Sequence, residues 1–277
     1  MQVFRTVSEL RARLAREDSV VLVPTMGNLH AGHIALVEAA RKHGRCIVVS
    51  IFVNRLQFEP GGDFDRYPRT LEADREKLER AGCEVLFAPD EHEMYPAPQE
   101  IVLSPPKVAN SLEGEHRAGH FQGVVTVVAK LLNIVSPNVA IFGKKDYQQL
   151  MVLRELVCQL NFGIEVVPAE TVREPDGLAM SSRNGYLSPE ERHEAVRLSR
   201  VLRSIRERLA RGERDLPALE KAAMGELAAH GWRVDYVAVR RRADLAPPAA
   251  DDTELVALGA AWLGKTRLID SLEIIGV

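Results

Sequence analysis

His30 and His33 stand three residues apart in the string Pro24-Thr25-Met26-Gly27-Asn28-Leu29-His30-Ala31-Gly32-His33, directly after the apolar run Val20-Val21-Leu22-Val23. The order is buried strand, tight turn, then an amphipathic segment over 34–43. A strand that feeds a helix N-terminus makes an anion site, because the first backbone N–H groups are unpaired and the dipole end is positive. The two imidazoles lie on one face of the first turn. Gly32 carries no side chain, so a flat ligand could approach the backbone closely. The expected chemistry is a nucleotide held by its phosphates beside two imidazoles. A metal site would use similar His spacing, but no neighbouring Cys or carboxylate completes a ligand set.

Four other strings carry polar groups of chemical interest. Asn54 and Gln57 leave a second apolar run, in Ser50-Ile51-Phe52-Val53-Asn54-Arg55-Leu56-Gln57-Phe58. Their amides both give and accept hydrogen bonds, which suits a hydroxy acid and equally suits a structural turn. Gly114-Glu115-His116-Arg117-Ala118-Gly119-His120-Phe121-Gln122-Gly123-Val124 is Gly-rich and basic, either a phosphate or carboxylate loop or a surface loop. Gly143-Lys144-Lys145-Asp146 tops a third apolar run. A lysine there can neutralise phosphate and an aspartate can accept ribose hydroxyls, although a routine charged helix start reads the same way. Met180-Ser181-Ser182-Arg183-Asn184 offers two hydroxyls and a guanidinium as a polyphosphate clamp.

These residues need a frame that brings strand ends together. Apolar runs at 20–23, 46–53, 85–88, 139–142 and 164–167 read as strands. Segments 34–43, 70–81, 124–135 and 148–160 read as helices. Such alternation predicts a parallel sheet with helices on both faces, and ligands in such sheets sit beyond the strands' carboxyl ends. After about Asn184 the pattern changes. Ser188-Pro189-Glu190-Glu191 is a helix start, predicting one charged helix as far as 210 or 211, then a second over 216–230. Strand-like segments follow at 234–239, 254–262 and 266–274, the last two forming a hairpin across Gly264-Lys265. The expected architecture is α/β: a doubly wound parallel sheet over 1–171, with a smaller α+β domain over 172–277.

The chain has 277 residues and a formal net charge of −3. The length allows one large or two modest domains. The slight acidity argues against a general nucleic-acid binder, and no apolar run could span a bilayer. Cys46, Cys83 and Cys158 are odd in number and far apart, and read as reduced thiols. Residues Met1 to Arg5 lack the apolar stretch of a signal peptide, so a cytoplasmic protein is expected.

The histidine string resembles the HIGH signature of nucleotidylyltransferases and class I aminoacyl-tRNA synthetases. In its longer form it is similar to that of one family, pantoate–β-alanine ligase. Val53-Asn54-Arg55-Leu56-Gln57-Phe58 resembles that family's Val-Asn-Pro-x-Gln-Phe, with Arg55 in place of proline. Residues 114–124 resemble its Gly-His-Phe-x-Gly-Val block, with Ala118 in place of proline. Phe142 to Gln149 matches Phe-Gly-x-Lys-Asp-x-Gln-Gln, and 180–184 resembles the KMSKS-type loop.

The resemblance implies joining of pantoate to β-alanine at the expense of ATP, through a pantoyl adenylate, with release of pyrophosphate and AMP. It implies ATP contacts from Met26, Gly27, Asn28, Leu29, His30, Ala31, Gly32, His33, Gly143, Lys144, Lys145, Asp146, Val172, Met180, Ser181, Ser182 and Arg183. Catalysis would fall to His30, His33, Lys145, Ser181, Ser182 and Arg183, with His33 giving the phosphate a proton or a hydrogen bond. Gln57, Gln149 and Asn54 would hold pantoate. A Mg²⁺ is expected on the phosphates with few direct protein ligands, Asp74 being a candidate to assist it, and the assembly implied is a homodimer. Three rivals share the motifs: a nucleotidyl transferase that stops at the adenylylated product, a tRNA-charging enzyme, and a non-catalytic nucleotide sensor. The C-terminal third is too short and insufficiently basic for the second.

Overall fold

The computed structural model describes residues 1–59 and 61–276. Strand β1 (Gln2–Phe4) and helix α1 (Val7–Leu14) open the chain. Neither stands out in the sequence: β1 is a three-residue edge strand, and α1 buries only Leu10 and Leu14. The expected alternation follows as β2 (Val20–Thr25), α2 (Ala31–Ala40), β3 (Cys46–Ile51), α3 (Leu71–Arg80) and β4 (Val85–Phe87). Two four-residue helices, α4 (Glu91–Met94) and α5 (Glu113–His116), precede α6 (His120–Val135). Then come β5 (Val139–Gly143), α7 (Tyr147–Gln159) and β6 (Glu165–Ala169).

The six strands form one parallel sheet in the order β1-β4-β3-β2-β5-β6. The central strands are buried on both faces, which is why β2 and β3 read as continuous apolar runs. Helix α6 is valine-rich, yet it is a helix because almost its whole surface is buried against the sheet and α1. The chain leaves β2 toward β3 on one side, while β5 flanks β2 on the other. The carboxyl ends of β2 and β5 therefore bound the crevice where such folds bind ligands.

The C-terminal part has its own core. Ser188 and Glu191 form the expected capping box at the start of α8 (Pro189–Glu194). The single helix expected from there is two, α8 and α9 (Val196–Ala210). They meet at Ala195, which keeps right-handed dihedrals, so the chain reorients without leaving helical backbone. Helix α10 (Leu216–Ala229) and an antiparallel sheet β7 (Arg233–Arg241), β8 (Glu254–Leu263), β9 (Thr266–Ile275) complete the layer. Gly264, at φ 56, supplies the left-handed conformation of the β8–β9 turn. Among the described residues, no helix is long and apolar enough to cross a membrane. Cys46 and Cys83 are buried and Cys158 is exposed, all unbridged.

Candidate active site

A cleft of about 220 Å³ lies beyond β2, β3, β5 and β6. Its lining includes His30, Gly32 and His33 from the first string, with Met26 before them. Asn54, Gln57 and Gln149 enter it, as do Gly143, Lys145, Asp146, Val172, Met180, Ser181, Ser182 and Arg183. Four separate stretches of sequence thus converge on one space.

His30 is the N-cap of α2 and His33 its third residue, and the two rings cap each other's turn. The Gly32 N–H donates to His30 Nδ1 at 3.1 Å, and the His30 N–H donates to His33 Nδ1 at 3.3 Å. A ring nitrogen that accepts carries no proton, so both neutral rings carry hydrogen on Nε2. Burial, the neighbouring His33 and Lys145 lower the His30 pKa to about 3. Burial, Lys145 and Lys77 lower that of His33 to about 4. At neutral pH each ring is a hydrogen-bond donor without positive charge. Gly32 has its close neighbour inside the protein: a Cβ there would meet the His30 ring at 2.8 Å.

The turn before α2 corrects two expectations. Its amides are not free for an anion. Gly27 N–H donates to Thr25 Oγ1, and those of Asn28 and Leu29 donate to the two oxygens of Asp74 at 2.8 Å each. Asp74 is fully buried and also accepts from Thr70 Oγ1 at 3.0 Å. Its carboxylate holds a main chain in which Gly27 and Asn28 both take positive φ, so it is not available to a Mg²⁺. Lys77 closes the arrangement, donating to the Leu29 carbonyl at 2.7 Å. Gly27, Asn28, Leu29 and Ala31 do not line the cleft. Among the described residues no group of three His, Cys, Asp or Glu could hold a metal ion, so the donor set does not fit a protein-built magnesium site.

Lys144 departs from its expected place as well. It does not line the cleft; its ammonium pairs with Glu170, which does, and, at 2.7 Å, with Glu273 of β9, which does not. Lys145, one residue on, does line the cleft, 3.7 Å from Asp146. Ser182 and Asn28 bond reciprocally, Ser182 Oγ to the Asn28 carbonyl at 3.1 Å and Asn28 Nδ2 to the Ser182 carbonyl at 3.3 Å. The histidine turn and the serine loop are thereby joined. Arg183 makes a forked pair with Asp63, 2.9 Å and 3.3 Å. Asp63 carried no sequence signal, because its partner lies 120 positions away.

Gln57 ends a 3-10 turn, Arg55–Gln57, and its amide is held on both sides. Asn54 Nδ2 donates to its oxygen at 3.1 Å, and its nitrogen faces Met26 Sδ at 3.1 Å. Tyr95 donates to Asn54 Oδ1 at 2.8 Å. Arg55, where the resemblance led to proline, pairs with Glu91 and stacks on Phe64, 4.0 Å from the ring centre. The opposite wall of the cleft is aliphatic, from Val124, Val127, Val128 and Leu131 of α6. Sequence reading found the helix but not that its valines face the site.

The chain matches the family described as pantoate-beta-alanine ligase over residues 2–273. It belongs to the pantoate–β-alanine ligase family and is an enzyme of that family. It is 56% identical over 274 residues to the pantothenate synthetase of Nitrosospira multiformis, covering 99% of this chain and 98% of that one. The pantothenate synthetase of Nitrosomonas europaea is likewise 56% identical, over 271 residues, covering 98% of each chain. Among solved structures, that of pantothenate synthetase from Thermus thermophilus superimposes with a TM-score of 0.95 at 47% identity, covering 99% of this chain and 100% of that one. The pantoate-beta-alanine ligase of Francisella tularensis, solved with β,γ-ATP and β-alanine, gives a TM-score of 0.84 at 31% identity, covering 98% of this chain and 97% of that one. The ligase-family fold, a parallel nucleotide-binding sheet with a small antiparallel C-terminal sheet, is therefore that of this chain.

Proposed function

We propose that this chain joins pantoate to β-alanine in two steps at the cleft between β2 and β5. In the first, a carboxylate oxygen of pantoate attacks the α-phosphorus of ATP. The bond from that phosphorus to the bridging oxygen breaks, pyrophosphate leaves, and pantoyl adenylate forms. In the second, the unprotonated amine of β-alanine attacks the acyl carbon. The carbon–oxygen bond to AMP breaks, AMP leaves, and the new amide nitrogen gives up its proton to solvent. From a free carboxylate the amine would have to expel oxide or hydroxide, a poor leaving group, and adenylation replaces it with AMP, a good one.

The observation that carries this reading is the pairing of two neutral amides, Gln57 and Gln149, with an aliphatic wall in the same cleft as His30, His33 and Lys145. Pantoate has two hydroxyls, a carboxylate and a carbon bearing two methyl groups. Amides suit the first two and valines the last. Neutral amides also leave the carboxylate's charge unpaired, so it stays nucleophilic.

Charge builds on the oxygens of the α-phosphorus as it is attacked. The Nε2–H groups of His30 and His33 and the ammonium of Lys145 are the donors for it. The histidines act by hydrogen bonding, since burial keeps them neutral. Ser181, Ser182 and Arg183 suit the leaving phosphates, with Arg183 exchanging Asp63 for phosphate. The Francisella structure, which holds a nucleotide and β-alanine, supports this substrate set.

The deciding experiment is exchange of labelled pyrophosphate into ATP. Exchange that requires pantoate, followed by AMP release that requires β-alanine, is the expected result. Exchange without any acceptor-dependent discharge would instead make the chain a nucleotidyl transferase. ATP binding without exchange would make it a sensor.

A further inference from the structure

We propose that His120 is a positioning residue for pantoate recognition, fixing the main chain at Gln57 through one ring tautomer that the Arg117 guanidinium on one side and the Gln57 carbonyl on the other both require. The proposal rests on the reading of Gln57 as a pantoate ligand. Residues 114–124 stood out in the sequence, and apart from Val124 in the aliphatic wall the two-step mechanism leaves them without a part.

His120 opens α6, directly after Gly119 at φ 75, and is 6% exposed. Its Nδ1 lies 2.9 Å from the Gln57 carbonyl oxygen, and its Nε2 lies 3.1 Å from Arg117 Nη1. A guanidinium can only donate. Nε2 must therefore accept, and in the neutral ring the proton sits on Nδ1, where it donates to the Gln57 carbonyl. The other tautomer would set a lone pair against that carbonyl. Burial and the adjacent Arg117 charge keep the ring neutral, with a pKa of about 3.

Arg117 is itself anchored. It pairs with Glu113 at 3.5 Å. Glu113 takes two bonds of 2.8 Å from Arg267 of β9 and one of 2.9 Å from the Tyr236 hydroxyl of β7. A continuous set of contacts thus runs from the C-terminal sheet to the backbone of the Gln57 turn. The same turn is pressed from α6 by Gly123, where a Cβ would lie 2.2 Å from the Leu56 carbonyl oxygen. Asn54 Nδ2 bonds the Gly123 carbonyl at 3.2 Å. His120 does not line the cleft itself but a small adjoining cavity shared with Lys145, Asp146 and Gln149, and its direct contact toward pantoate recognition is the bond to the Gln57 main chain.

The test uses the full chain and two readouts. In pyrophosphate exchange, His120→Phe should raise the KM for pantoate about tenfold with the KM for ATP unchanged, the scale expected when a positioned group drifts by a fraction of an ångström. His120→Asn places an amide nitrogen near the Nδ1 position and should restore the pantoate KM. Two-bond ¹H–¹⁵N correlation on protein labelled at histidine nitrogen should show His120 as the Nδ1–H form, and Arg117→Met should retain that form, because the Gln57 carbonyl can only accept. An Nε2–H ring in the wild type overturns the proposal, as does an equal rise in both KM values or no rise. If His120→Phe does not fold, the asparagine variant and the tautomer decide. If the wild type shows no pantoate-dependent exchange, the functional reading fails, while the tautomer still reports on the His120–Gln57 contact.

Discussion

Asp74 shows how much a single buried carboxylate can organise. It lies at the start of α3, where an acid would ordinarily be read as a dipole partner, yet it is fully buried and holds two consecutive amides of the histidine turn. Asp74→Asn would turn an NH₂ toward an N–H that now meets an oxygen. The expected cost is about 3 kcal/mol of stability, the scale of a charged hydrogen bond lost in a buried site. Turnover should fall by about 10²-fold, because His30 and His33 lose their setting. Urea melts and single-turnover adenylation measure the two, and unchanged values for both would sink this role. The histidines set a second expectation at this scale. His30, His33 and His120 all have folded pKa values depressed below the ordinary 6.5, to about 3, 4 and 3. The unfolded chain then binds more protons than the folded one between those values. Stability is fully present above pH 6.5 and is lost as pH falls toward 4. Thermal midpoints should decline as pH falls from about 7 to about 5, and His120→Asn should flatten the decline. A midpoint that rises on acidification would contradict the neutral assignment.

At the scale of elements, α6 does more than fill the core. It supplies the aliphatic wall of the cleft and, through Gly123, the close approach to the turn carrying Gln57. Glycine to alanine inside a helix ordinarily stabilises by up to about 1 kcal/mol. At Gly123 the sign should reverse, with a loss of about 1–3 kcal/mol from overpacking and a raised pantoate KM. Gly225 in α10 is the control, since a Cβ there meets nothing within 4 Å. Gly225→Ala should stabilise by up to about 1 kcal/mol and leave kinetics unchanged. Paired denaturation curves would separate close approach from generic helix propensity. The elements were largely legible in the sequence, because strand runs, capping residues and glycine stops act within a few positions. The edge strand β1 and helix α1 were not, since each buries too little to leave a pattern.

At the scale of the whole molecule, the two sheets are held together by buried charge. Arg267 spans Glu113 and Asp235, with all three side chains almost wholly covered. Burial opposes ionisation of Glu113, yet Arg267 outweighs it and brings the pKa to about 2. Lys144 and Tyr147 reach Glu273 at a second point, and Ser271 Oγ donates to the Lys144 carbonyl at a third. Arg267→Met would leave Asp235 without that partner and Glu113 with only Arg117 and the Tyr236 hydroxyl, in a nearly dry setting. A loss of about 3–5 kcal/mol is expected, the cost of removing one partner of a buried pair. Calorimetry would read it, and an unchanged midpoint would mean the carboxylates are hydrated.

The parallel sheet and the strand ends that carry polar groups were determined by the sequence itself, as was the expectation that histidine turn, lysine and serine loop meet, which they do in one cleft. Those signals are local: a period of about two or 3.6, a cap, a glycine, a short string of polar groups. Only the tertiary structure decided that Asp74 serves the main chain across 45 and 46 positions, that Lys144 turns to β9 while Lys145 faces the cleft, and that the amides before α2 are already taken. It alone set Asp63 on Arg183 and the valines of α6 against the amides. Contacts between residues so far apart in the chain leave no mark in any window of sequence, because the partner that consumes a donor or a charge is chosen by packing.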